Sequence, residues 1–233
     1  TEIAGRQAEF ILANPYGIVG DGFGFINTSR ATLTTGVPVF DTQGGLGTFR
    51  VTQGNITIQG AGLNAANIDR VDLISRTTAI NAGLWAKKLN VITGANNVDY
   101  QSLAIEKLDP ADDPPAVSLD VSQLGGMYAN QITLVGTEKG VGVNSQGVIT
   151  ADDDLIITQD GKIILSGNTN AKGNMAIQGS DVTQRGSLYA QGNTQMNATG
   201  TIDNTGSTTA GGDIQIKAAS IRSDNLLAAG ILA

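Results

Sequence analysis

A phrase of about 20 residues recurs through the last third of the chain, and no other feature limits the fold so tightly. An Asn or Asp opens an alternating run at Asp154-Leu155-Ile156-Ile157, Asn174-Met175-Ala176-Ile177, Asn193-Thr194-Gln195-Met196 and Asp213-Ile214-Gln215-Ile216. The four starts are separated by 20, 19 and 20 residues. The period is too short for helical-pair solenoids, and the leucine pattern of leucine-rich repeats is missing. Twenty extended residues have a contour of roughly 65 Å, enough for one circuit of short strands and turns. Each repeat therefore reads as one coil. Alternation sends Ile214 and Ile216 to one side of a strand and Asp213, Gln215 and Lys217 to the other, so the apolar residues point inward and stack between coils. The expectation is an all-β chain folded as a right-handed parallel β-helix. Glycine and asparagine between strands, as at Gly211-Gly212 and Asp203-Asn204, are expected to supply positive φ values for turns.

Earlier strand phrases are less regular: Asn55-Ile56-Thr57-Ile58, Val71-Asp72-Leu73-Ile74 and Leu89-Asn90-Val91-Ile92 lie between segments rich in Gly, Ala and Asn. From Lys107 to Ala116, prolines and charges prevent a buried strand, because proline has no amide donor for a ladder. This stretch reads as a loop extruded from a coil, which resumes at Ile132-Thr133-Leu134-Val135.

Composition suits a narrow core. There are 31 glycines and only 4% aromatics in 233 residues, too little bulk for a wide interior. Stacked Ile and Leu can fill a thin one, each contributing roughly 1.5–3 kcal/mol when buried. The formal net charge of −7 and pI near 4.4 argue against a nucleic-acid partner. With no cysteine and no histidine, disulfides, thiolate metal sites and the usual His-based catalytic systems are excluded, and no metal or cofactor is expected. No run of about 18 apolar residues occurs. The strand-like start at Thr1, without Met or a signal segment, reads as a cut inside a longer polypeptide.

Several sharper features have plain alternatives. Asp152-Asp153-Asp154 could hold a hard cation, but without a calcium-loop spacing it reads as a solvated turn. Gly20-Asp21-Gly22-Phe23-Gly24 lacks the Lys and spacing of a phosphate loop and reads as a tight turn. A β-helical polysaccharide lyase or hydrolase would take Asp69 and Asp72 as its first candidate carboxylates. Against this reading stand the neighbouring Arg70 and Arg76 and the shortage of sugar-stacking aromatics. Trp85 and Tyr128 are possible ligand contacts, although alternation suggests that Trp85 points into the coil or under a cap.

The sequence Asn14-Pro15-Tyr16-Gly17-Ile18, followed by Gly24-Phe25-Ile26-Asn27-Thr28-Ser29-Arg30-Ala31-Thr32-Leu33-Thr34-Thr35-Gly36, resembles the two-partner secretion domain of filamentous haemagglutinin and contact-dependent inhibition exoproteins. Gly54 to Ile58, Gly62 to Ala65, Val71 to Arg76 and Asn90 to Asn96 extend the resemblance over about residues 1–100. From about residue 150 the chain resembles haemagglutinin repeats. The resemblance implies three regions: the C-terminal part of a two-partner secretion domain at 1–106, an extruded loop and transition at 107–129, and haemagglutinin-repeat coils at 130–233. It also implies a non-catalytic segment, export through an outer-membrane β-barrel transporter, and a place on the bacterial surface at the start of an adhesin or toxin-delivery filament. Through the parent protein it implies a receptor on a host or neighbouring cell. Asn14, Pro15, Tyr16, Gly17 and Ile18 would form the secretion motif, with Tyr16 where the family usually has a second Asn. A Cys-x-x-Cys pair present in some members would fall on Gly20 and Phe23.

Overall fold

The computed structural model describes residues 1–109 and 113–232. Every regular element among them is a strand. Nine parallel strands, from Ala8–Ala13 to Ile214–Lys217, form one face of a continuous coil. With one strand per coil and a spacing of about 4.8 Å, nine coils make a rod roughly 40 Å long. The expected all-β parallel solenoid is what the chain forms.

Two further faces complete each circuit. In the first two coils a single bent strand, Ile18–Gly24 or Asn55–Ala65, runs along both. In the third coil the bend becomes a break between Thr77–Ile80 and Gly83–Ala86, which pair with the two halves of the Asn55–Ala65 strand. Gly20 to Gly24 is therefore not a tight turn. It is strand throughout, with a register irregularity between Asp21 and Phe23 and positive φ at Gly22.

The core is a set of columns along the rod. One column on the first face runs Leu12, Leu33, Leu73, Val91, Leu134, Ile157, Ile177, Met196 and Ile216 in unbroken register. Each side chain rests on the one below, so narrow aliphatic residues fill the interior without aromatic bulk.

The repeat's Gly-Asn/Asp step has a specific cause. The Oδ1 of Asp154 accepts the amide of Asn174 at 2.7 Å, Asn174 that of Asn193 at 3.0 Å, Asn193 that of Asp213 at 2.8 Å, and Asp213 that of Ile231 at 2.7 Å. A Cβ on the preceding glycine of the next coil would collide with that oxygen, at 2.6 Å for Gly192 and 2.1 Å for Gly212. Neither glycine has positive φ, nor do Gly211, Asp203 and Asn204. The expectation of left-handed turn residues is corrected at these positions: close approach between coils, not backbone handedness, demands the glycine.

Two excursions leave the coil. Val37–Phe40 and Leu46–Val51 form a hairpin, Asn96–Asp99 and Ile105–Lys107 form another, and the two join as a four-stranded antiparallel sheet. This sheet lies over the first face. Phe49, Val51, Val98 and Tyr100 meet the outward residues Ile74 and Ile92 in a second apolar cluster. The strands Arg70–Ser75 and Lys88–Thr93 are consequently buried on both sides, as apolar runs without strict alternation require. Of the extruded loop read at 107–116, residues 110–112 lie outside the described residues. The earlier hairpin at 37–51 has no counterpart in the sequence reading.

Candidate functional site

Asn14 to Gly17 form the first corner of the first coil, between the strands Ala8–Ala13 and Ile18–Gly24. The Gly17 amide donates to the Asn14 carbonyl at 3.1 Å, which closes a four-residue turn with Pro15 second. Tyr16 has no positive φ, so the turn is not of the type II form. The Asn14 side chain adds an Asx bond, its Oδ1 accepting the Tyr16 amide at 3.1 Å. From the next coil the Thr34 carbonyl accepts the Asn14 amide at 2.9 Å. These bonds leave Tyr16 almost wholly in solvent, 89% exposed, while Ile18 enters the core. The five motif residues thus make one rigid corner with a single projecting aromatic ring.

Gly54 of the second coil sits against this corner. It has φ +88°, and a Cβ there would lie 2.6 Å from the Pro15 carbonyl oxygen and 2.8 Å from the Thr35 Cβ. Gly20 likewise leaves room for Phe23, whose ring would lie 3.2 Å from a Cβ at Gly20.

Beside the corner, charges hold the excursions down. Asp72 has no exposed surface and accepts from Arg30 Nε at 2.7 Å, Arg70 Nε at 2.8 Å and Asn90 Nδ2 at 2.7 Å. Arg30 also donates to the Tyr100 carbonyl at 2.6 Å, and its guanidinium lies 4.0 Å from the Tyr100 ring centre. The Tyr100 hydroxyl reaches Glu9. Burial, helped by that bond to Glu9, pushes the phenol up to about 12. Asp99 is held below the usual carboxylate range, chiefly by the hydroxyl of Ser102. Sequence reasoning named Arg76 only as a neighbour of the candidate carboxylates and missed its buried ion pair with Glu138, Nε to Oε2 at 2.7 Å, because the two stand 62 residues apart.

The remaining candidates separate. Asp69 is exposed and pairs with Lys87 at 2.9 Å, whereas Asp72 is sealed beneath the extruded sheet. The two carboxylates do not share an open face. Asp152 pairs with Lys172, Asp153 with Gln131, and Asp154 serves the Asn174 ladder. Trp85 is 40% exposed and points outward, correcting the inward placement: Leu84 and Ala86 take the inward positions, and the indole stacks on Tyr128 with centroids 5.8 Å apart.

A three-faced parallel coil with an antiparallel flap defines the class: a parallel β-solenoid. The particular family follows from comparison. Residues 1–165 match the family model described as the TPS secretion domain, and residues 168–233 match the haemagglutinin repeat. The chain belongs to the TPS, or two-partner secretion, domain family. It is 51% identical over 171 residues to the tRNA nuclease CdiA-2 of Burkholderia pseudomallei strain 1026b, a match covering 73% of this chain. It is 48% identical over 193 residues to the 16S rRNA endonuclease CdiA of Enterobacter cloacae, covering 83% of this chain. The chain spans about 6% of the length of either relative. The crystal structure of the filamentous hemagglutinin secretion domain superposes with a TM-score of 0.65 at 22% identity, over all of this chain and 69% of that one, and shows the same fold.

Proposed function

We propose that this chain engages an outer-membrane β-barrel transporter of the two-partner type, that Asn14 to Ile18 is the element through which it does so, and that the chain has no catalysis of its own. The carrying observation is the geometry of the corner. Three hydrogen bonds fix a turn whose only projecting side chain, Tyr16, is free for a partner. The nuclease activities in the relatives' names belong to proteins many times longer, and here they are assigned to regions beyond the matched segment. A receptor on a host or neighbouring cell is likewise assigned to the parent protein. Within the span that the secretion-domain model matches, the loop near residue 107 is proposed to set off the coils of 1–106 from a transition at 107–129 and the coils from 130 onward. Nucleic acid is not a partner, in keeping with the net charge of −7.

The test uses the parent exoprotein with its transporter. Asn14→Ala with Pro15→Ala, and separately Tyr16→Ala, are followed by secreted yield and by the melting temperature of the purified 233-residue chain. Secretion is expected to fall severalfold in both variants, with little change in melting temperature for Tyr16→Ala. Normal secretion by both would sink the role of the corner. A panel of polysaccharides with and without calcium checks the non-catalytic reading, which turnover abolished by Asp69→Asn would overturn.

A further inference from the structure

We propose that the cavity between the extruded sheet and the first face binds a carboxylate joined to a compact apolar group. It uses none of the residues of the Asn14 to Ile18 corner, so the two readings fail independently. The cavity holds about 250 Å³, room for one amino-acid residue or an acid of similar size. Its wall is aliphatic: Ile92 and Val135 from the coil, Leu103 and Ile105 from the excursion. Arg70 and Lys88 supply its charge, and no acidic residue lines it.

Arg30 and Arg70 share the carboxylate of Asp72. The other acids near them, Glu9 and Asp99, lie on the Arg30 side, bonded to Tyr100 and Ser102, and neither lines the cavity. Arg70 turns its Nε to Asp72, while its Nη2 is shielded from water and has no hydrogen-bond partner. Arg70 is itself a quarter exposed, and a turn of its guanidinium toward the cavity gives that unpaired donor an anion to meet. Lys88 precedes Leu89, the register partner of Val71, and so lies one coil beyond Arg70. It is exposed and makes no ion pair among the described residues. In register beyond it come Gln131 and then Asp154, whose Oδ1 is held by the Asn174 amide.

The wall is rigid before any ligand arrives. Asp99 Oδ1 accepts from the amides of Gln101 and Ser102 at 3.1 and 2.7 Å and from the Ser102 hydroxyl at 2.6 Å. This ties a turn that holds Leu103 over the cavity with φ +58°. A leucine in the left-handed region is disfavoured, and here it places an apolar side chain beside two cations. One guanidinium edge, one ammonium and an aliphatic wall match a planar monoanion with an apolar body. That chemistry occurs at the C-terminal residue of a peptide and in a free small acid.

The test is titration of the whole 233-residue chain, followed by amide NMR shifts, with N-acetyl-leucine, its carboxamide, and a tetrapeptide ending in leucine with a free carboxyl. The acid is expected to bind saturably, shifting Lys88, Ser102 and Leu103. The carboxamide should bind about tenfold more weakly, as loss of a charge-assisted contact implies. Tighter binding of the tetrapeptide than of N-acetyl-leucine identifies a chain end, and the reverse order identifies a free acid. Lys88→Gln, which disturbs no hydrogen bond of the fold, should weaken the acid about fivefold and leave the carboxamide unchanged. Thr133→Trp, which fills the cavity, should abolish both. The proposal is overturned by the absence of saturable binding, by equal affinity for acid and carboxamide, or by a Lys88→Gln variant that binds the acid as the parent does.

Discussion

Arg76 and Glu138 are joined by two hydrogen bonds, from Nε at 2.7 Å and from Nη2 at 2.8 Å, across 62 residues of sequence. Both side chains are buried. The same guanidinium donates to the Thr52 carbonyl at 2.8 Å, where the first excursion rejoins the coil, and to the Asp113 carbonyl at 3.3 Å, on the return path of the second. One residue therefore closes both excursions, and it does so against a carboxylate from the fifth coil. For a chain emerging from its N-terminus, the latch over the first four coils is complete only when residue 138 is out.

Removing either partner should be severe. Glu138→Gln and Arg76→Gln each leave a charge or its donors without a match in a buried position, which costs about 3–5 kcal/mol. The double variant should lose much less than the two single losses added together, because it removes both charges. Chemical denaturation of the four proteins checks this, and additive losses would show that the pair does not act as a unit.

In the repeats, Gly192→Ala places a Cβ 2.6 Å from Asn174 Oδ1 and 2.9 Å from the Gly173 carbonyl oxygen. The backbone oxygen cannot move aside as a side chain can, so a cost of about 1–3 kcal/mol is expected. Asn174→Ala removes one exposed acceptor and should cost only about 0.5–1.5 kcal/mol. Hydrogen exchange at the Asn193 amide is the direct readout for the second variant: protection should fall there while the Asn174 amide keeps its bond to Asp154.

Much of this architecture was legible in the residues. The 20-residue spacing gave the coil, and Leu155, Met175, Thr194 and Ile214, each directly after the Asn or Asp, stack in register as that spacing requires. The hairpin at 37–51 escaped because Val37 and Val39, and likewise Phe49 and Val51, alternate like any coil strand, and nothing local says that the pairing is antiparallel. Trp85 escaped for a related reason: alternation has two phases, and only the contact of its ring with Gly83 and Tyr128 shows which applies. The Asn14 to Ile18 corner was readable as a turn, since Asn and Pro set it locally. Its lock by Gly54 was not, because that contact depends on how two coils stack.

The Tyr100 phenol gives the fold a dependence on alkaline pH. Its pKa is raised from 10.0 to about 12 in the folded chain. The unfolded chain therefore loses the proton first as pH rises. The stability that the buried neutral phenol contributes is fully present below pH 10, and it is lost as pH rises from 10 through about 12. Denaturation midpoints measured across that window should fall, and the fall should be shallower in Tyr100→Phe. An equal slope in both proteins would assign the effect to other groups.

The first corner can be dissected by two substitutions that touch it from opposite sides. Pro15→Ala keeps every hydrogen bond of the turn and changes mainly the freedom of the unfolded chain, so its cost should stay at or below about 1 kcal/mol. Gly54→Ala acts through the folded state: at φ +88° an alanine is strained, and its methyl would enter the space of the Pro15 carbonyl and of Thr35. Strain of that kind costs about 1–3 kcal/mol before the clash is counted, so Gly54→Ala should be the more damaging although it lies outside the motif. Its effect should also be local. Amides of the first two coils should exchange faster, while the Asp154 to Asp213 ladder keeps its protection. If Gly54→Ala proves as mild as Pro15→Ala, the second coil does not set the shape of the corner, and Asn14 and Pro15 hold it by themselves.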